Sequence, residues 1–391
     1  MTDPVPPLGA YHTPEREELQ ALARRFAMEE VLPVANKLDP LGEKIPAALR
    51  KKMGEVGFFA LRLPLEYGGL GLGLFEYCIV TEELSRAWMS VASLIARSEP
   101  LPEALGRERL TDRYRRMIAG DYLAAAAWSE PGAGSDLGSL TCRARRDGEE
   151  WLITGQKMWC THADDASYIT VLARTQPLDP AHRHRGIGVF FLEKEPGCFP
   201  EGLSGTPIRT IGYHGMRTFE LSFDEVRVPG WALVQKEGGF ETTASELFAS
   251  RIHTAARAIG LARGALEDSI AYASARVQFG RPIAHFQAIR FKIASMAAEV
   301  EAARRLTYFV ANEFDNGRHR EAEASMAKLV ASEMSERVTS DAIQIHGGYG
   351  YTQDFAVERH WRDARLTKIF EGTSEIQQRI IADRLLGRHR D

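Results

Sequence analysis

Cysteine is scarce in this chain: four in 391 residues, Cys78, Cys142, Cys160 and Cys198, with no two in a CxxC-type pair. That spacing argues against a structural zinc site, and so few cysteines in so long a chain point to a reducing, cytoplasmic compartment. Charge of one sign is missing too. Lys and Arg number 49 against 53 Asp and Glu, a formal net charge of −4. No global basic field is therefore offered to nucleic acid or to an anionic membrane surface. No uninterrupted apolar run approaches about 18 residues, so no transmembrane helix is expected. The opening stretch, MTDPVPPLGAYHTPEREELQ, lacks the basic start and apolar segment of a secretory signal. Nucleotide and hydrolase signatures are absent as well. No GxGxxG follows a strand pattern, and the glycines of residues 68–73 sit between helical stretches at the wrong spacing. GxxxxGKS/T, GxSxG and HExxH do not occur. These absences weigh against a Rossmann nicotinamide enzyme, a P-loop enzyme, a nucleophile-elbow hydrolase and a zinc protease.

What is present is an ordinary globular composition, 44% hydrophobic and 26% charged, in a length that suggests roughly two to four domains. Thr13-Pro14 with Glu15, Glu17 and Glu18 reads as a helix start, followed by Leu19, Leu22 and Phe26 at helical spacing. Glycine and proline break the chain over residues 64–71, and a helix-like stretch runs from Leu74 to Ser98. The middle changes character. Residues 141–161 alternate and turn at Asp147-Gly148, and residues 168–175, 188–194 and 218–229 are further β-rich runs, the pattern of a small sandwich or barrel. The last third returns to helix, with Ile289, Ile293, Met296 and Val300 on one stripe and Met326, Val330, Met334 and Val338 on another. The expected fold is mainly α with a central β-domain. Segregated blocks of this kind are not alternating βαβ units. The expected division is 1–122, a helical N-terminal domain; 123–235, the β-domain; and 236–391, a helical bundle.

Three stretches carry candidate chemistry. In WSEPGAGSDLGSL (128–140), Gly132 and Gly134 let the main chain approach a ligand, while Ser129, Ser135 and free N–H groups can meet carbonyl or phosphate oxygens. The plainer reading is a polar inter-domain turn. In GQKMWCTHAD (155–164), Trp159 and Thr161 fall on the same side of a strand, an aromatic surface beside a hydroxyl. A core Trp with a surface Thr is the commoner case. In residues 368–387, Glu371 lies on a glycine-hinged turn, and Thr373 or Ser374 can cap the helix that follows. A lone Glu beside a Gly is usually a solvated loop residue.

These stretches occur together and in order with ARVQFGRPIAHFQAI (275–289), IQIHGGYGYTQDF (343–355) and FEGTSEIQ. From about residue 15 to about 388 the chain resembles the acyl-CoA dehydrogenase flavoprotein family. The resemblance implies a helical N-domain, a central β-domain and a C-terminal four-helix bundle, with FAD as cofactor. It implies that Glu371 is the catalytic base, removing the α-proton of an acyl thioester while the β-hydride goes to flavin N5. Desolvation in a closed site is expected to raise the pKa of that carboxylate. Trp128, Ser129, Gly134 and Ser135 match the flavin and thioester loop, and Trp159 and Thr161 the residues flanking the isoalloxazine. Arg276, Phe279 and Gln287 match residues that reach FAD across a subunit interface. Gln344 and Gly348 match the adenine-side loop, and Thr373 and Glu375 further cofactor contacts, Thr373 at a phosphate. Arg251, Phe370 and Gly372, with Ser135, match positions near the acyl thioester. Shared FAD sites imply a homotetramer, a dimer of dimers. Ser129 stands where the family often has Thr, which keeps the hydroxyl.

Residues 93–99, 136–140, 157–166 and 199–216 resemble the methylsuccinyl-CoA dehydrogenase branch. That resemblance implies a short branched or dicarboxylic acyl chain, with Arg97 facing the distal carboxylate; pairing of Arg97 with solvent or with Glu99 is the alternative. An electron-transfer flavoprotein is the implied acceptor. The same scaffold also carries acyl-CoA oxidases, nitroalkane oxidases and flavin monooxygenases, and fold does not dictate function. A non-enzymatic helical interaction protein is the remaining alternative, to be distinguished by whether the protein takes up FAD.

Overall fold

The computed structural model describes residue 11, residues 13–235 and residues 239–387; most of the stretch read for a secretory signal lies outside them. Thr13 opens α1 (Pro14–Phe26) as expected. Its side chain accepts from the Arg16 N–H at 3.3 Å, and Glu15 and Glu17 lie at the positive end of the helix. A π-helical turn, Ala27–Val31, leads into α2 (Leu32–Leu38), and α3 (Ala47–Val56) follows. The break at 64–71 holds a short 3-10 turn, Leu65–Tyr67, closed by Gly68 at φ 86°. The stretch read as one helix from Leu74 to Ser98 is two, α4 (Leu74–Ala87) and α5 (Met89–Ile95). Trp88 between them is extended at φ −160°, and its buried indole N–H finds Asp39 at 3.2 Å. α6 (Arg107–Ile118) completes the first helical block.

The middle strands are β1 (Ala124–Ala127), β2 (Arg143–Asp147), β3 (Glu150–Thr161), β4 (Tyr168–Arg174), β5 (Ile187–Glu193), β6 (Leu203–Ile208), β7 (Thr218–Pro229) and β8 (Leu233–Gln235). The hairpin at Asp147-Gly148 is present, with Asp147 opposite Glu150 and Gly148 at φ 61°. One eight-stranded sheet runs β6-β7-β3-β2-β4-β5-β8, with β1 parallel to β4. Its two halves meet through a single parallel pair, Arg143 with Arg174, and share one core. Ile153, Phe219 and Leu221 from one half pack with Ala125, Val171 and Phe190 from the other. That is the sandwich-like closure the alternating runs suggested.

The third block holds α7 (Gly239–Ala275), a two-strand hairpin β9 (Val277–Gln278) and β10 (Arg281–Pro282), α8 (Gln287–Asp315), α9 (Glu321–His346), α10 (Val357–Thr367) and α11 (Ser374–Leu386). α9 packs on α7, α8, α10 and α11, and α7 also packs on α4. Helices from both ends of the chain therefore share a core: Phe75, Tyr77 and Leu84 meet Ile252, Ile259, Met334 and Val338. Glycine brings α4 and α7 together. A Cβ at Gly260 would stand 2.4 Å from the Glu82 carbonyl oxygen. The stripe expected through Val330 is corrected: Val330 is exposed, and the buried face of α9 runs through Ala324, Ala327, Ala331, Met334 and Val338. Repeated steps of four drift around a 3.6-residue helix, and alternate steps of three and four do not. Among the described residues no helix is long and apolar enough to cross a membrane.

Candidate active site

Between α10 and α11 the chain turns through Phe370-Glu371-Gly372-Thr373. Thr373 caps α11, accepting from the Ile376 N–H at 3.3 Å. Glu371 has φ 54° and Gly372 φ 90°, so a left-handed conformation falls on a carboxylate-bearing residue. Such strain persists only where the surroundings impose it. Here Lys328 of α9, fully buried, donates to the Gly372 carbonyl at 2.7 Å, and Gln377 Nε2 donates to the same oxygen at 3.0 Å. Burial pushes the Lys328 ammonium down to about 8.

The loop aims Glu371 at α7. One carboxylate oxygen accepts from Arg257 at 2.7 Å, and the other accepts from the Thr254 hydroxyl. Thr254 and Arg257 lie three residues apart on one helix face, and Arg257 also donates to Thr254 Oγ1 at 2.9 Å and to Ser93 Oγ of α5 at 2.8 Å. Its guanidinium stands 4.5 Å over the Phe370 ring. Burial alone pushes the Glu371 carboxyl up, as expected from the sequence. The Arg257 charge and the hydrogen bonds from Thr254 and Arg257 outweigh it and hold the group at about 2. The expected upward shift is thus reversed in this structure, because a buried cation that the sequence reading had not placed there lies against the carboxylate.

The loop 128–140 is held from below. Glu130 is buried and accepts from the Thr141 N–H at 2.7 Å, Thr141 Oγ1 at 2.8 Å, the Cys142 N–H at 2.9 Å and the fully buried Lys157 ammonium at 2.9 Å. Lys157 also donates to the Trp128 carbonyl at 3.0 Å. Trp128 donates its indole N–H to Thr170 at 3.2 Å, and the Ser129 carbonyl accepts from the Met158 N–H at 2.8 Å. Gly134 and Ser135 are exposed above this staple, and a Cβ at Gly132 or Gly134 would meet nothing within 4 Å. On β3 the pairing with β7 slips between Lys157 and Cys160. Trp159 sits in that bulge at φ 62°, 58% exposed. Cys160 is buried, and Thr161 reaches Thr218 hydroxyl to hydroxyl at 3.0 Å. Trp159 therefore projects from the bulge itself, while Thr161 lies two residues on in regular register with Thr218, so simple strand alternation does not hold through Trp159.

A further group gathers at the β9–β10 hairpin and the end of α9. A cleft of about 510 Å³ is lined by Arg276, Gln278, His346, Gly347, Gly348 and Tyr349, among others. Arg276 stands 5.4 Å over the Tyr349 ring. Gln344 is exposed on the last turn of α9, and Gln287 is exposed at the start of α8. Phe279 is 94% exposed at φ 51° and meets the edge of Phe286 at 6.0 Å.

The structure thus brings Phe370, Glu371, Gly372 and Thr373 together, with Glu375 exposed on the first turn of α11. It joins residues 128–135 to 157–161, and Arg276 to Gly348. Arg251 is buried on α7 but meets Glu321 at 3.8 Å; the arginine against Glu371 is Arg257. Glu99 pairs with Arg62 at 2.7 Å rather than with Arg97, whose Nε is buried without a hydrogen-bond partner among the described residues. Thr254, Arg257, Lys328 and the Glu130–Lys157 pair were missed. Arg257 had a signal: it is a charge inside the apolar run Ala255-Ala256-Arg257-Ala258-Ile259, and a buried charge needs a partner.

Comparison with known proteins agrees with this arrangement. Three family models match: acyl-CoA dehydrogenase N-terminal domain over residues 13–120, middle domain over 125–226, and C-terminal domain over 237–386. The (2S)-methylsuccinyl-CoA dehydrogenase of Cereibacter sphaeroides is 41% identical over 383 residues, covering 95% of this chain and 70% of that protein. A chain from the structure of the electron transferring flavoprotein of Acidaminococcus fermentans superposes with TM-score 0.89 at 33% identity, over 96% of this chain and 99% of that one. A glutaryl-CoA dehydrogenase from Mycobacterium smegmatis in complex with FADH2 superposes with TM-score 0.90 at 26% identity, over 99% of each chain. The chain belongs to the acyl-CoA dehydrogenase family. It is an FAD-dependent oxidoreductase acting on acyl-CoA. The residues present fit such a cofactor: an exposed indole at a bulge, glycines with open space before them, and a cleft that places a guanidinium beside two glycines.

Proposed function

We propose that this protein catalyses α,β-dehydrogenation of an acyl-CoA with Glu371 as the base. The observation that carries the proposal is Glu371 itself: a carboxylate in strained backbone, on a loop tied down by Lys328, ionised at neutral pH and turned toward α7. Glu371 takes the α-proton, and FAD when bound supplies the acceptor for the β-hydride, so that a Cα–Cβ double bond remains. Trp159 and Thr161 flank the isoalloxazine; Trp128, Ser129, Gly134 and Ser135 line the flavin and thioester loop. Arg276, Phe279, Gln287, Gln344 and Gly348 hold the dinucleotide across a subunit interface, with Thr373 and Glu375 beside it. Phe370, Gly372 and Arg251 border the acyl thioester.

Several finer readings belong to the same proposal. The substrate is a short branched or dicarboxylic acyl-CoA such as methylsuccinyl-CoA, supported by the Cereibacter sphaeroides relative. Half-buried Arg97 is the cation this reading sets toward the distal carboxylate. The acceptor is an electron-transfer flavoprotein, consistent with the Acidaminococcus fermentans likeness. The assembly is a cytoplasmic homotetramer, and exposed Phe279 suits burial between subunits. The chain divides at 122/123 and 235/236. An anaerobic flavin-bleaching screen over acyl-CoAs of graded length, branching and terminal charge tests the reaction and its substrate together. Bleaching by a short acyl-CoA, with slow reoxidation by air, is expected. Fast reoxidation by air without another acceptor would instead assign an oxidase.

A further inference from the structure

Arg257 is 1% exposed, in the middle of α7, with Ala255, Ala256, Ala258 and Ile259 buried around it. A guanidinium so placed needs a counter-charge. Among the described residues its hydrogen-bond acceptors are Ser93, Thr254 and Glu371, and of these only Glu371 is an anion. The one charge that neutralises Arg257 is therefore the group that must turn to an α-carbon to act as base. Leaving Arg257 uncovers a buried cation, and staying on it keeps Glu371 a weak base, held near 2.

Unused polar capacity lies beside this pair. Arg257 Nε, the Tyr77 hydroxyl and His253 Nδ1 are all buried without a hydrogen-bond partner among the described residues. His253 precedes Thr254 on α7, and the Tyr77 ring meets it edge-on at 5.6 Å. Other ionisable groups nearby are already engaged: Glu99 with Arg62 at 2.7 Å, and Lys328 with the Gly372 carbonyl. Unsatisfied buried polar atoms are uncommon, and a cluster of them around a cation reads as a seat for an anionic group.

We propose that Arg257 anchors a carboxylate on the acyl chain, and that such a substrate frees Glu371 by taking its place on the guanidinium. The inference rests on Glu371 being the base and adds the substrate class that the site selects. Glu371 and Arg257 are in direct contact, so the carboxylate belongs close to the α-carbon, as in a succinyl-type or glutaryl-type chain. A like charge arriving beside Glu371, together with loss of its cation, raises the basicity of Glu371 when the α-proton is within reach. An acyl chain ending in methyl leaves the clamp closed.

The test uses FAD-loaded enzyme and anaerobic stopped-flow flavin reduction with matched pairs: (2S)-methylsuccinyl-CoA against 2-methylbutyryl-CoA, and glutaryl-CoA against valeryl-CoA. The readout is the rate ratio of the charged to the neutral member, in which partial loss of folded enzyme cancels. Wild type is expected to favour a charged member. Arg257→Gln lowers that ratio by roughly 30-fold or more, and Arg257→Lys, which keeps a cation with shorter reach, lowers it less. A wild-type preference for both neutral members overturns the proposal. So does an unchanged ratio in both variants, or collapse of the ratio in Arg97→Gln and not in Arg257→Gln. Glu371→Gln separates the two claims: if it still reduces flavin with either member, the base reading fails, whatever Arg257 does to the ratio.

Discussion

Glu130 and Glu371 both face a buried cation, and they are built to different ends. Glu130 meets Lys157 and three further donors, within 2.7–2.9 Å, in ordinary backbone conformation. Glu371 has one cation and one hydroxyl, a φ of 54°, a quarter of its side chain exposed, and a partner with a nitrogen to spare. In both, the neighbouring cation overcomes the upward push of burial and holds the carboxyl low. The lesson is in satisfaction, not in charge. A carboxylate whose donors are complete is a staple. One held by few donors in strained backbone can exchange them.

The contrast is broken most sharply at Glu371. Glu371→Gln is expected to slow flavin reduction by about 10³-fold or more while FAD stays bound; a loss below tenfold would place the base elsewhere. At the staple the effect should fall on folding. Glu130→Ala leaves Lys157 buried and unpaired and is expected to cost about 3–5 kcal/mol in denaturant unfolding, with weaker FAD retention as the loop 128–140 loosens. A change within experimental error would show that Lys157 finds another partner. Gly372→Ala tests whether strain is imposed on the loop. With φ at 90° and a new Cβ 2.6 Å from Gln377 Nε2, a loss of about 1–3 kcal/mol is expected, and a neutral result would mean that the loop can relax. The smallest effect is in pH. The Glu371 carboxyl lies at about 2 against an ordinary 4.5, so its share of stability is complete above that ordinary value and fades as pH falls toward the folded one. The melting temperatures of wild type and Glu371→Gln should converge across that acid window, and a gap that stays constant there would remove the ion pair from the account.

Much of this was legible in residues. Thr13-Pro14, Asp147-Gly148 and the β-rich runs mark elements by local chemistry, and local chemistry is what a sequence shows directly. Glu371, Trp159 and the 128–135 loop came from motifs; Glu371 and Trp159 both stand in left-handed backbone, and Trp159 is exposed. Contacts between distant segments were not legible. Arg257 and Glu371 are separated by 114 residues, and Glu130 and Lys157 by 27; nothing in spacing pairs them. The sign of the Glu371 shift was missed for that reason, since burial was inferred and its partner was not. Trp88 and Val330 went astray on smaller grounds: an indole seeking Asp39, and a stripe followed in steps of four.

The base assignment is tested most directly by the proton step alone. Acyl-CoA deuterated at the α-carbon is incubated anaerobically with FAD-loaded wild type and Glu371→Gln, and label loss from the recovered acyl-CoA is followed by mass spectrometry. The account expects washout with wild type and none above background with the variant. Washout at the wild-type rate in Glu371→Gln would contradict it.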